Sequence, residues 1–186
     1  MEILYYIVGF IVLFLVLITF LELNKEKKIN KAFSDQEGFN VTHKFISSFD
    51  KTAIAIDSDT KKIIFHDNKK KLTLINFDEL ISIETIINDE TFHQTKRGSQ
   101  IAGGAIGGLL LGPAGLLIGG LSGKKTAVKK ISKISVRVTI SNLDKPFCDL
   151  VFYDGNPIKP DSFLHNTFSE IADEWIGRLS VIIANK

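Results

Sequence analysis

Three hydrophobic periods succeed one another along the chain. Ile3 to Leu21 is an unbroken apolar run without formal charge, about nineteen residues and roughly 28 Å as a helix, close to the thickness of a bilayer core. From Val41 the period shortens to that of strands. Thr52–Asp57 alternates with Ile54 and Ile56 on one face, and Asp57-Ser58-Asp59-Thr60 is a turn. Lys61–His66 returns as a second strand, making a hairpin. Leu72, Leu74 and Ile75 predict a third strand and Leu80–Ile87 a fourth. Ile131–Ile140 is the clearest, with Ile134, Val136, Val138 and Ile140 on one face, and Cys148–Tyr153 follows an Asn142–Pro146 turn. The last segment recurs every three or four residues at Leu164, Phe168, Ile171, Trp175, Leu179 and Ile182, the stripe of an amphipathic helix. Thr167-Phe168-Ser169-Glu170 matches a capping box, and Asp161 or Ser162 offers a start a turn or more earlier. Trp175 reads as the core anchor of that stripe.

The first run reads as an uncleaved anchor. No lysine or arginine precedes it, and Ile18-Thr19-Phe20-Leu21 offers no small-residue cleavage site. Lys25, Lys27, Lys28 and Lys31 follow it, which places the body in the cytoplasm by the positive-inside rule. The expected localisation is the inner membrane of a bacterium, with a single-pass anchor.

Between the fourth strand and Ile131 lies IAGGAIGGLLLGPAGLLIGGLSG, residues 101–123. Gly104, Gly108 and Gly112 are spaced by four, as are Gly115, Gly119 and Gly123. On a helix each triplet is a groove without side chains, suited to close approach by another helix. Gly112-Pro113 divides the block into two halves of about ten residues, each reaching roughly half a bilayer core. Lys96 and Arg97 precede it, and Lys124, Lys125, Lys129 and Lys130 follow. Strands on either side belong to one domain, so a re-entrant hairpin with two basic feet is expected. The alternative is a flexible loop, but it would expose Ile106, Leu109–Leu111 and Leu116–Ile118. Self-association through the six glycines is therefore expected.

The fold class is α+β. A transmembrane helix precedes six or seven antiparallel strands with one C-terminal helix as their cover, a pleckstrin-homology-like sheet or barrel with an inserted glycine-rich helical hairpin. The expected divisions are an anchor at 1–22, a juxtamembrane linker at 23–40, the domain at 41–97 and 126–186, and the insertion at 98–125.

Composition narrows the function. A net charge of +2 gives no reason to expect nucleic acid, and the single cysteine, Cys148, forms no intrachain disulfide. His43, His66, His93 and His165 are scattered, with no metal-ligand spacing to Cys148. Gly123-Lys124-Lys125-Thr126 only echoes a phosphate loop, and no acidic pair stands out from the turn and strand-edge carboxylates. No catalytic residue, cofactor or metal is expected. Lys61, Lys62, Lys69, Lys70 and Lys71 flank the first hairpin and are candidates for lipid headgroup contact. Expected partners are membrane lipid, further copies of the chain and a possible protein ligand.

The chain resembles bacterial membrane-anchored proteins in which a glycine zipper interrupts a pleckstrin-homology-like domain. The resemblance is carried by Ile54–Asp57, Phe77–Glu84, Thr95–Gln100, the glycine block and Ala172–Trp175. It implies a fold and not a reaction. Two functions fit: a non-catalytic adaptor at the inner membrane face, or an oligomeric membrane-perturbing effector of the phage-exclusion or toxin kind.

Overall fold

The computed structural model describes residues 2–96, 130–160 and 162–185. The glycine block, and with it the expected hairpin, lies outside them. Helix α1 spans Glu2–Ser34, 33 residues or about 50 Å, far longer than a bilayer core. It is the one helix among the described residues long and apolar enough to cross a membrane, and the apolar side chains of its first twenty-one residues are exposed. No glycine or proline interrupts it after Gly9, and Glu, Lys and Asn carry it past the apolar run. It unwinds through Asp35–Gly38, where Gly38 takes φ +68°.

Two four-stranded antiparallel sheets follow. The first is a meander of β1 (His43–Ile46), β2 (Ala53–Asp57), β3 (Lys62–His66) and β4 (Leu72–Asn76). A short 3-10 turn at Phe77–Glu79 leads to the second, made of β5 (Leu80–Ile87), β6 (Glu90–Lys96), β7 (Ile131–Ile140) and β8 (Phe147–Ile158), in the order β6-β5-β7-β8. Helix α2 (Phe163–Ala184) packs on β5, β7 and β8.

The main core lies between the sheets and α2. Ile54, Ile56, Ile63 and Phe65 meet Ile83, Ile134, Val136, Val138, Leu150 and Phe152, and Trp175, Ile176 and Leu179 cover them. Each fully buried side chain of this size contributes about 1.5–3 kcal/mol. Trp175 is 2 % exposed, so its role as anchor holds. α2 starts at the earlier of the two expected points. Ser162 caps it by accepting from the His165 backbone N–H at 3.3 Å, while Thr167 lies inside the helix and donates back to the Phe163 carbonyl. The box at Thr167–Glu170 is therefore not a helix start.

A second, smaller core was not anticipated. Residues 23–34, expected as linker, continue α1 and lay Ile29 and Phe33 on the outer face of the first sheet. Ala53, Ala55 and Ile64 receive them. Both faces of β2 are consequently buried, isoleucines inward and alanines under the helix, where a small side chain leaves the backbone approachable.

Candidate functional site

The two lysine-bearing turns are built alike, each on an aspartate at its first position. Asp57 accepts from the backbone N–H groups of Asn40, Asp59 and Thr60 and from the Thr60 hydroxyl. The Thr60 hydroxyl, then the Asn40 N–H, lower its carboxyl from the ordinary 3.8 to about 2. Asp67 accepts from the N–H groups of Lys69 and Lys71 and from Lys145 Nζ at 2.9 Å. Burial opposes its ionisation, but these bonds outweigh burial and hold its carboxyl below the usual range. Lys61 and Lys70 occupy left-handed backbone in the two turns, at φ 56° and 65°.

β3 separates these turns. Lys61 and Lys62 stand at its start, whereas Lys69, Lys70 and Lys71 stand beyond its end at His66, about 16 Å away. The five lysines therefore form two groups. The six glycines, Gly104, Gly108, Gly112, Gly115, Gly119 and Gly123, lie outside the described residues.

Lys145 carries the closure between the sheets. It sits in the turn between β7 and β8 and binds Asp67 and the Thr73 hydroxyl of the first sheet. Beside it is a cleft of about 290 Å3 lined by Thr52, His66, Asp67, Phe147, Cys148 and Asp149, among others. Its charges face one another. Arg137 holds Asp149 through two bonds of 2.8 and 3.0 Å, and Asp50 accepts from the Thr52 hydroxyl and N–H. His66 Nδ1 lies 3.1 Å from the Lys51 carbonyl oxygen, and Thr52 Oγ1 accepts from the Val151 N–H.

The candidate reactive groups are equally committed. Burial pushes the Cys148 thiol up to about 11, with Lys145 opposing the rise, so it is a packed thiol at neutral pH. His165 and Ser169 meet at 3.1 Å, and Asn166 Oδ1 lies 3.4 Å from the other ring nitrogen. This imitates a nucleophile-and-base arrangement, but His165 is 0 % and Ser169 3 % exposed on one buried helix face. His43 lies at the start of β1 and His93 on β6. Among the described residues no group of three His, Cys, Asp or Glu side chains is placed to hold a metal ion.

The start of β7 is pinned by Asn88, a residue that the hydrophobic pattern does not mark. Asn88 and Asp89 form the two-residue turn from β5 to β6, both at positive φ. Asn88 Nδ2 donates to the Lys130 carbonyl, and its Oδ1 accepts from the N–H groups of Ser132 and Lys133 and the Ser132 hydroxyl. The chain thus returns from the glycine block onto a fixed point. An Asn-Asp pair directly after the β-branched run Leu80–Ile87 was the available signal.

Comparison with known proteins agrees with this architecture. The chain is 28 % identical over 186 aligned residues to the SPbeta prophage-derived uncharacterized membrane protein YomJ of Bacillus subtilis (strain 168), covering 89 % of this chain and 79 % of that protein. It is 29 % identical over 163 residues to the Immunity protein of Bacillus phage SPbeta, covering 80 % and 78 %. No solved structure matches. A family model matches residues 43–154, from the start of β1 into β8 and across the glycine block. The chain therefore belongs to the family described as the glycine zipper containing PH domain.

Proposed function

We propose that the protein is a non-catalytic binding module anchored at the inner face of a bacterial membrane, where it protects the cell that carries it. The carrying observation is the union of α1 with the domain. A membrane-length helix runs without a break into Ile29 and Phe33, which are packed on the first sheet. The basic residues after the apolar run support a cytoplasmic domain. The buried or paired state of Cys148, His165, Ser169, Arg137 and Asp149 supports binding over catalysis. The relative named Immunity protein supports a protective role and a protein or membrane-directed agent as the thing resisted. Copies associate through Gly104, Gly108, Gly112, Gly115, Gly119 and Gly123.

A second reading rests on that glycine spacing. Packed hairpins from several copies would perturb permeability directly, as a membrane effector. Deleting residues 101–123 separates the two. The binding module keeps its ligand in pull-down or liposome assays after the deletion, whereas the effector loses all activity. Loss of binding together with loss of ion leakage would favour the effector.

A further inference from the structure

The direction of α1 shows which end of the domain meets the bilayer. α1 ends at Ser34, and six residues later Asn40 is tied to Asp57, at the far end of β2. One turn before its end, Asn30 accepts from Lys44, whose partner across the sheet is Ala55 at the middle of β2. Towards its N-terminus the helix therefore travels from the Asp57 end towards the Ala53 end. At about 1.5 Å per helix residue and about 3.3 Å per strand residue it passes Ala53 near residue 26 and leaves the sheet just before the apolar run begins.

Three other features share that end. The Lys69–Lys71 turn follows His66, which pairs with Ala53. The turn between β7 and β8 is fastened to it by Lys145 and Asp67. At the tip of that turn Leu143 is 102 % exposed, an apolar side chain with nothing from the described residues over it. β6 ends on the same side. Lys96, its last residue, is level with Ser82, Thr139 and Phe147.

We propose that this end of the domain rests on an anionic lipid surface, with Leu143 dipping below the headgroups and Lys69, Lys70 and Lys71 against the phosphates. The proposal rests on the membrane-anchored reading above. Helix direction supplies the proximity, the lysines the charge complementarity and Leu143 the apolar contact. Asp144 is the acidic residue of the tip and subtracts from the attraction. Val181, also exposed, lies near the C-terminus of α2 beside Thr60, Lys61 and Asn76, at the Asp57 end of the first sheet, away from this surface.

The test uses the full chain reconstituted in phosphatidylcholine vesicles with or without phosphatidylglycerol. Leu143→Cys and Val181→Cys are each labelled with an NBD fluorophore, and the wild-type chain gives the background from buried Cys148. A nitroxide on the lipid acyl chain should quench position 143 several-fold more than 181. Combined Lys69→Glu, Lys70→Glu and Lys71→Glu changes should lower that quenching about twofold in anionic vesicles and leave it unchanged in neutral ones. No quenching at 143, or equal quenching at 181, overturns the orientation. Unaltered quenching after charge reversal overturns the lysine contact. Retention of the chain through a carbonate wash reports on the anchor alone, so a failed anchor and a wrong orientation give different results.

Discussion

Asp57 does more than start a turn. It has no exposed surface and joins three parts of the chain: its own turn, the Asn40 backbone after α1, and β2. Its lowered carboxyl makes its contribution pH-dependent. The unfolded chain binds the proton near 3.8 and the folded chain only near 2, so folding is favoured by ionisation. That contribution is complete above about pH 4 and disappears as pH falls through about 2. Asp57→Asn keeps one acceptor but cannot ionise. The gap in thermal midpoint between wild type and Asp57→Asn in detergent should be constant from pH 7 to 5 and should narrow between pH 4 and 2. A constant gap down to pH 2 would assign the acid response to other carboxylates, Asp67 first.

At the scale of elements, α1 and the first sheet act as one piece because Phe33 has no exposed surface. Phe33→Ala should cost about 3–5 kcal/mol of docking and core energy. The polar part of the helix would then leave Ala53 and Ala55, and limited trypsin digestion should cut at Lys27, Lys28 and Lys31 at least tenfold faster than in wild type. Phe33→Leu, which keeps most of the volume, should restore protection. The same contact marks where the sequence was legible and where it was not. β2, β3, β5, β7 and the α2 stripe follow from periodicity, since one buried face is enough to write the pattern. Ile29 and Phe33 are only two apolar residues among lysines and asparagines, too few for a stripe, and their meaning depends on alanines twenty residues away. β1 went unseen for a similar reason, since His43-Lys44-Phe45-Ile46 is a four-residue edge strand with two exposed positions. The lysines on the first hairpin look contiguous in sequence, yet a strand of even this length puts its two turns at opposite ends.

Register decides how the whole molecule accommodates its insertion. β6 and β7 flank β5, so the strands before and after the glycine block lie in one sheet. Its two roots are nonetheless far apart. Lys96 lies opposite Ser82, while Lys130 is bonded to Asn88, six residues further along β5. Six strand residues are about 20 Å, and two interstrand spacings add about 10 Å sideways, giving a gap of roughly 22 Å. A fully extended chain covers at most about 3.3–3.6 Å per residue. Removing residues 101–123 leaves ten residues between Lys96 and Lys130, enough to bridge roughly 33 Å. Removing residues 98–128 leaves two, which reach about 10 Å from root to root. The first deletion should therefore keep both sheets intact. The second must pull β6 from the edge of β5, because β7 is held on both sides and by Asn88 whereas β6 is paired on one side only. Amide hydrogen exchange should show β6 protected in the first deletion and unprotected in the second, with β7 and β8 protected in both. Protection of β6 in the shorter chain would mean that the roots are adjacent and that the register across β5 is wrong.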